Sequence, residues 1–210
     1  NSKSNNALQI KTNTPIVGNL TVTNYNDGSA NVNAIKLPAQ LQAGGTITLI
    51  NEETAIIVDN TASINATDVA INATEITVAG TVNATNDVSL SSNGSMTING
   101  NVAASRDANL TAGSGLIIAG KVTATNATTL NAGSITVNGK VETTNEKTTL
   151  TSAEITVNGS VNTTIGTTTL TSASDLTLNG SGTVSGKAVN VNAGQDFFHN
   201  GGSISGENAV

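Results

Sequence analysis

Three aspartates recur at near-constant intervals and could together bind a metal ion. Asp68, Asp87 and Asp107 lie 19 and 20 residues apart, and each precedes an apolar residue by three positions. If the chain repeats at this interval, their carboxylates stack close together and could coordinate Ca²⁺, which prefers oxygen ligands. The alternative is that each aspartate caps the amides of a turn. The following repeats carry Ala127, Lys147 and Thr167 at the same position, which favours the turn interpretation over the metal site.

Side chains suited to acid–base or nucleophilic catalysis are sparse. His199 is the only histidine and Arg106 the only arginine. A Ser-His-Asp site would need His199 beside a serine and a carboxylate, but the adjacent Phe197 and Phe198 indicate a local structural role. Glycoside hydrolysis needs paired carboxylates on one face, whereas the carboxylates of this chain are scattered. The sequence therefore predicts neither an enzyme nor a cofactor site.

Acceptor sequences for N-glycosylation, Asn-x-Ser/Thr, are abundant. They begin at Asn19, Asn65, Asn72, Asn83, Asn93, Asn109, Asn126, Asn158, Asn162 and Asn179. In a chain so rich in Asn and Thr many of them arise by chance. Asn65, Asn83 and Asn162 each follow an apolar strand residue by one position, so they should face outward. These three are the predicted glycosylation sites.

The elements that position these residues come from an internal repeat. One pattern, typified by Ile-Thr-Val-Asn-Gly, occupies residues 76–80, 96–100, 116–120, 135–139, 155–159 and 176–180, at steps of 20, 20, 19, 20 and 21. Two further apolar positions recur in each period, one at Val82, Val102, Val122, Val141 and Val161, the other at Leu90, Leu110, Leu130, Leu150 and Leu170. A fixed period of this length indicates a solenoid with three short strands in each rung.

This repeat predicts an all-β fold, a right-handed parallel β-helix with about 20 residues in each rung. A rung of three strands cannot bury its apolar face alone, and stacking the rungs makes a continuous core. Aliphatic side chains should fill every inward column, whereas Thr136, Thr156 and Thr177 should form an outward column. The glycine that ends each pattern, replaced once by Asn60, should turn a corner with positive φ.

Two regions follow from where the repeat can be recognised. Residues 35–210 form the β-helix domain, with about eight full rungs and one partial rung. Residues 1–34 contain apolar alternation that does not fit the phase, and they form an irregular first rung or a cap. The polar start is unlike a signal peptide, so a fragment of a longer mature protein is expected.

The composition excludes several classes of partner. The chain has 210 residues, a net charge of −6 and no Cys, which leaves no disulfide framework or thiolate metal site. Its acidic character disfavours nucleic acid, because phosphate binding depends on clustered Lys and Arg. No apolar run reaches the roughly 18 residues of a membrane span, so no membrane insertion is expected.

Three stretches carry a family resemblance. The repeated Ile-Thr-Val-Asn-Gly, the Thr-Thr-Leu-Thr-Ser segments and residues 193–206 (AGQDFFHNGGSISG) resemble the passenger repeats of filamentous-haemagglutinin-like and high-molecular-weight adhesins. The resemblance covers about residues 35–210. It implies a bacterial exoprotein of two-partner secretion, with an outer-membrane transporter as partner and an extracellular or cell-surface location. The Asn-Pro-containing secretion motifs of the family are absent, which places the chain in an internal or distal stalk. Similar proteins can carry sugars on Asn-x-Ser/Thr.

Three functions are compatible with these observations. The favoured one is a surface adhesin or stalk segment that presents outward Thr and Asn ladders to a receptor or glycan on a host or neighbouring cell. The second is a subunit of an extracellular filament that associates end to end. The third is a carbohydrate-active enzyme or phage spike, because fold alone never fixes function.

Overall fold

The computed structural model describes residues 8–9, 14–24, 34–37 and 39–209. Within these residues the chain is all-β without helix, and it winds into a parallel β-helix of about nine turns spaced about 20 residues apart. The predicted fold class is confirmed. Right-handed winding stays a prediction, supported by the handedness of nearly all parallel crossover connections.

The strands follow one another with short turns between them. In chain order they are β1 (Leu8–Gln9), β2 (Leu20–Asn24), β3 (Ile35–Leu37), β4 (Gln40–Gln42), β5 (Thr46–Val58), β6 (Ser63–Ala66), β7 (Asp68–Val78), β8 (Thr81–Ala84), β9 (Val88–Ser92), β10 (Met96–Ile98), β11 (Asn101–Ala104), β12 (Asp107–Ile118), β13 (Lys121–Ala124), β14 (Ala127–Val137), β15 (Lys140–Thr143), β16 (Lys147–Val157), β17 (Ser160–Thr163), β18 (Thr167–Ser172), β19 (Leu176–Asn179), β20 (Thr183–Ala193), β21 (Phe197–Asn200) and β22 (Ser203–Ala209).

The strands stack into three parallel sheets that enclose the core. Sheet 1 contains β1, β3, β10, β19, β21 and the C-terminal parts of β5, β7, β12, β14 and β16. Sheet 2 contains β4, β6, β8, β11, β13, β15, β17 and the N-terminal parts of β20 and β22. Sheet 3 contains β2, β9, β18, the N-terminal parts of β5, β7, β12, β14 and β16, and the C-terminal parts of β20 and β22.

Several strands are longer than the short strands predicted from the sequence. The longest, β5, has 13 residues, because pairing continues around the corner from sheet 3 into sheet 1. Two of these corners contain a register shift, between Asn51 and Ala55 and between Ala112 and Gly115. Each shift absorbs a difference in rung length without interrupting the stack.

The described part of residues 1–34 pairs as a rung. Leu8 pairs with Ile35 in sheet 1, Ile16 bridges to Ala43, and Leu20 pairs with Ile47 in sheet 3. This order of contacts is the same as in the later rungs. The sequence did not reveal it, because the intervals between these residues differ from the 20-residue period.

Alternating side chains fill the core with stacked aliphatic columns. Val82, Val102 and Val122 pair in register and are at most 1% exposed, as are the equivalent residues of sheets 1 and 3. Burial of β-branched and Leu side chains on parallel strands makes the largest favourable contribution to the free energy of folding. The predicted inward columns are confirmed for most of the rod.

Not every inward column is aliphatic. That expectation is wrong at the corner between sheets 3 and 1, where the buried side chains of Asn51, Ser92, Ser152 and Ser172 each donate a hydrogen bond to a group two or three residues later. It is also wrong at the corner between sheets 2 and 3. Five buried threonines, Thr128, Thr143, Thr148, Thr163 and Thr168, are each at most 1% exposed. Their hydroxyl oxygens lie 2.7, 2.7, 2.7 and 2.8 Å apart in that order, and the last lies 2.6 Å from the carbonyl oxygen of Ser185. Threonine has the shape of valine, so the hydroxyl is tolerated where a neighbouring hydroxyl bonds it.

The hydroxyl chain is bonded along its whole length. Thr143 donates to Thr128, Thr148 donates to Thr143, and Thr163 donates to Thr148. Thr168 contacts the Thr163 hydroxyl and donates to the Ser185 carbonyl, which can only accept. No buried side-chain polar atom of the described residues lacks a hydrogen-bond partner.

The corner glycines do not have the predicted positive φ. Among the described residues only Gly201 has it, at 95°, and no non-glycine residue does, so the assignment to Asn60 is also wrong. Close packing is the actual requirement. A Cβ on Gly120 would lie 2.0 Å from the carbonyl oxygen of Gly100, because successive corners stack backbone on backbone. The Gly120 amide donates to the carbonyl of Ile98 at 2.9 Å, which holds the corner in place.

We expect Gly120→Ala to destabilise the rod by at least about 2 kcal/mol, because the backbone must move to admit the methyl group. Gly180→Ala is the matched control in the same column, since its Cβ would meet only Asn200 O at 3.5 Å. Urea unfolding followed by circular dichroism measures both. Equal losses in the two variants would contradict the packing explanation.

We expect Thr148→Val to reduce stability by about 1–3 kcal/mol, because it leaves Thr143 and Thr163 each without one partner. Thr149→Val, on the outer face of the same strand, should change the urea midpoint little. Replacing all five buried threonines with Val should cost less than five single losses, because few orphaned hydroxyl groups remain. Additive losses would show that the hydroxyls act independently.

Candidate functional site

The three aspartates stack on successive rungs, as the repeat predicted, and each accepts hydrogen bonds from the next rung. Asp68 Oδ1 accepts the Asn86 side-chain amide at 2.8 Å and the backbone amide of Asp87 at 3.2 Å. Asp87 Oδ1 likewise accepts the Asp107 amide at 3.1 Å. Asp107 Oδ1 accepts the Ala127 amide at 3.1 Å. These are the contacts that the turn interpretation requires.

Arg106 supplies the positive charge beside this column. Its guanidinium forms a two-pronged ion pair with Asp87, with Nε 2.9 Å from Oδ1, and also lies 3.6 Å from Asp107 Oδ2. The hydrogen bond and charge of Asp87 raise the pKa of Arg106 above its usual value. In the described part of the chain, no cluster of three or more His, Cys, Asp or Glu has a metal-binding arrangement. The calcium site stays an untested prediction.

The predicted glycosylation asparagines are half-buried and already bonded. Asn83 donates its side-chain amide to Asn65 Oδ1 at 3.0 Å, and Asn65 donates to Ser63 Oγ at 3.2 Å. Asn162 Oδ1 accepts the Ser185 hydroxyl at 2.7 Å. Three other acceptor asparagines, Asn72, Asn93 and Asn109, are exposed, and in the part of the chain that the structure describes their side chains form no hydrogen bond. Access therefore favours this second set for sugar attachment.

The outward column Thr136, Thr156 and Thr177 lies where the sequence placed it. The three residues pair in register on sheet 1 and are half-buried. The column is narrow, because each sheet 1 strand has one outward side chain between two inward ones. Next to it, at the corner, Asn138, Asn158, Asn179 and Asn200 form an amide ladder with contacts of 2.7, 2.6 and 3.2 Å.

Sheet 3 presents a wider outer face, which the sequence analysis missed. Two outward columns run side by side, and after Thr48 and Ile50 of β5 they contain only small or polar side chains through seven rungs. The first contains Ala70, Ser89, Asn109, Thr129, Thr149, Thr169 and Asn190, and the second contains Asn72, Ser91, Thr111, Asn131, Thr151, Thr171 and Asn192. We call these fourteen positions the sheet 3 face. The sequence signal was the alternation Thr-Leu-Thr at residues 149–151 and 169–171.

The sheet 3 face has neither charge nor internal hydrogen bonding by its side chains. Thirteen of the fourteen residues are Ser, Thr or Asn and the other is Ala70, so the face contains no aromatic, large aliphatic or ionisable group. Within the described structure, none of the thirteen polar side chains bonds another protein group. Their donors and acceptors are available to solvent or to a ligand.

His199 makes local contacts in the last described rung. Its ring stacks on Phe197 with centroids 6.0 Å apart, and Nε2 lies 2.7 Å from the carbonyl oxygen of Gly202. Phe197, Phe198 and Ile204 are 43%, 44% and 36% exposed. The rung thus combines an exposed apolar patch with a histidine that is held by its neighbours.

An open polar groove lies at the corner between sheets 2 and 3, also in the last described rungs. Its lining includes Asn162, Ser185, Lys187, Ser205 and Glu207. Gly186 and Gly206 pair in register there, so backbone forms part of the floor. The groove is shallow and open to solvent, and it does not enter the aliphatic core.

Asp87→Ala should reduce stability by about 1 kcal/mol, because it removes the acceptor for the Asp107 amide. Asp87→Asn keeps an acceptor oxygen and should restore most of the loss. Calorimetric titration with CaCl₂ should give no binding tighter than about 10⁻⁴ M, the level of weak extracellular modules. A tighter site that disappears in Asp87→Asn would instead support the metal interpretation.

Comparison with known proteins does not assign the chain to a family. No protein-family model, curated protein or solved structure matches the chain. In the described residues there is also no helix long and apolar enough to cross a membrane. Function must therefore be argued from the surfaces described above.

Proposed function

We propose that this chain is a rigid segment of an extracellular bacterial adhesin, which presents its outward polar faces to a receptor or glycan on another cell. The observation that carries the proposal is the continuous parallel register of the rungs around a filled core. The resemblance to passenger repeats of two-partner secretion adhesins supports it, and it implies an outer-membrane transporter as the export partner.

The architecture suits a spacer. About nine turns at about 4.8 Å each give a rod about 40 Å long. Each strand pairs with its equivalents in the rungs before and after it, so the backbone hydrogen bonds run along the rod axis. A stack that buries one continuous core resists bending, because bending would open the aliphatic columns.

The placement of reactive groups favours binding over catalysis. Arg106 and His199 lie in rungs about five apart, which separates them by about 24 Å. The carboxylates of the three stacked aspartates already accept hydrogen bonds from backbone amides, and Asp87 also forms an ion pair with Arg106. Aliphatic or internally hydrogen-bonded side chains fill the interior, so a ligand must bind outside. The absence of enzymatic activity stays a prediction.

A filament subunit is the second candidate, and one surface favours it. Phe197 and Ile204 continue inward columns of sheets 1 and 2, yet each is more than a third exposed. Phe198 continues the outward column of sheet 1 and is exposed beside them. Such an apolar surface could be covered by another copy of the chain or by a further rung of the same chain.

Cell adhesion tests the proposed function directly. Inert beads coated with the purified chain should bind cultured epithelial or bacterial cells several-fold better than beads coated with Val122→Asp. That variant buries an unpaired charge in the core and should unfold. The outward change Ala103→Asp is the matched control, and it should keep both the fold and the adhesion.

Electron microscopy of the same sample distinguishes the two candidates. Single rods are expected for a spacer segment. End-to-end fibres that disappear in Phe197→Ser/Phe198→Ser would favour the filament. Beads that bind no better than the Val122→Asp control would refute the adhesin proposal.

A further inference from the structure

We infer that the sheet 3 face is a docking surface for an uncharged, extended, β-linked polysaccharide that lies along the rod axis. The inference rests on the proposed function, because it names the class of partner that the adhesin contacts. It assigns the contact to a face other than the sheet 1 column of Thr136, Thr156 and Thr177.

The unused hydrogen-bonding capacity of the face is the first argument. Asparagines elsewhere on the surface bond one another, as in the ladder from Asn138 to Asn200 and the pair Asn65–Asn83. The thirteen polar side chains of the sheet 3 face make no such bond. They offer alternating donors and acceptors, which are the groups that sugar hydroxyls require.

The spacing of the face is the second argument. Register on sheet 3 is continuous through the seven rungs, so equivalent side chains repeat every 4.8 Å or about that distance. This repeat is close to the rise of one sugar unit in an extended β-1,4-linked chain. The two columns lie about 6.6 Å apart along each strand. A polysaccharide along the axis would therefore meet a hydrogen-bonding pair at nearly every unit.

Charge selects against anionic polysaccharides. Neither column contains a cation. One edge of the face carries Asp68, Asp87 and Asp107, whose charge is partly offset by Arg106 and by Lys147 in the same edge column. At the opposite corner, Glu154, Asp175 and Asp196 follow one another on successive rungs. Sulfated or uronic-acid chains would be repelled most strongly along the corner of Glu154, Asp175 and Asp196, whereas a neutral chain carries no such penalty.

The chemistry of the face also predicts how strong the binding is. With no aromatic side chain to stack on a sugar ring, each rung contributes only neutral hydrogen bonds and threonine methyl contacts. Binding of a short oligosaccharide should be weak. A long chain that spans the seven rungs should bind much better through avidity.

Affinity gel electrophoresis of the purified chain tests the inference. Hydroxyethylcellulose, a soluble neutral β-1,4-glucan, should retard the protein, whereas heparin should not. Thr149→Val/Thr169→Val keeps the shape of both side chains and removes two hydroxyls. It should weaken the retardation about tenfold or more, because each lost neutral hydrogen bond is worth a factor of about five. Thr149→Ser/Thr169→Ser should restore most of the binding.

A matched pair on another face controls for nonspecific effects. Ala103 and Thr123 are half-buried, outward and paired in register on sheet 2. Ala103→Lys/Thr123→Lys should leave the retardation unchanged, whereas Thr149→Lys/Thr169→Lys should abolish it. Circular dichroism confirms that each variant is folded.

Three results would overturn the inference: no retardation by hydroxyethylcellulose, retardation by heparin alone, or an equal loss in the sheet 2 variant. The bead assay separates this outcome from failure of the proposed function. If the beads adhere to cells but hydroxyethylcellulose does not retard the chain, only the polysaccharide assignment is overturned. Retardation of a chain whose beads do not adhere supports the assignment and removes the adhesin function.

Discussion

Parallel pairing in register, from each rung to the next, is the constraint on which the whole structure depends. It places every side chain directly above its equivalent about 20 residues earlier, so a residue type is chosen for how well it stacks on its own kind. Val and Leu satisfy this condition inside the rod. Charged residues repel their own kind when they stack, as Lys121 and Lys140 would in adjacent rungs. Glu142, two residues after Lys140, lies 2.6 Å from the Lys121 ammonium and offsets the repulsion.

Near-identical rungs create a second problem, because neighbouring rungs could exchange places with little loss of aliphatic packing. The buried hydroxyl chain opposes such a slip. Its sheet 3 members follow Ala108 and precede Val189 in the same column, so the polar block begins and ends at defined rungs. A shift by one rung would set Thr128 or Thr168 beside a residue without a hydroxyl. The resulting orphaned group would cost about 1–3 kcal/mol, which favours one alignment.

The period and the inward columns could be read from the sequence because alternation and spacing encode them directly. The hydroxyl chain could not, since Thr128 and Thr143 meet across a corner whose angle no spacing reveals. The corner glycines were assigned to positive φ because that is the commonest reason for glycine in a turn. The actual reason at Gly120 is contact with the backbone of the previous rung. The acceptor asparagines at Asn65 and Asn83 were correctly placed outward, but their mutual hydrogen bond depends on a distance.

The division of the surface into bonded and free columns follows from the reach of each side chain. An asparagine amide has a donor at one end and an acceptor at the other, so two asparagines stacked about 4.8 Å apart bond each other. A threonine hydroxyl is a single atom fixed by a stiff χ1 angle, and on an outward column it does not reach its equivalent. Ladders therefore form wherever asparagines occupy adjacent rungs, as at Asn138 and Asn158. In both columns of the sheet 3 face every asparagine is separated from the next by at least one Ser or Thr rung. That order prevents a ladder, and it keeps the hydrogen-bonding groups of this face available to a partner.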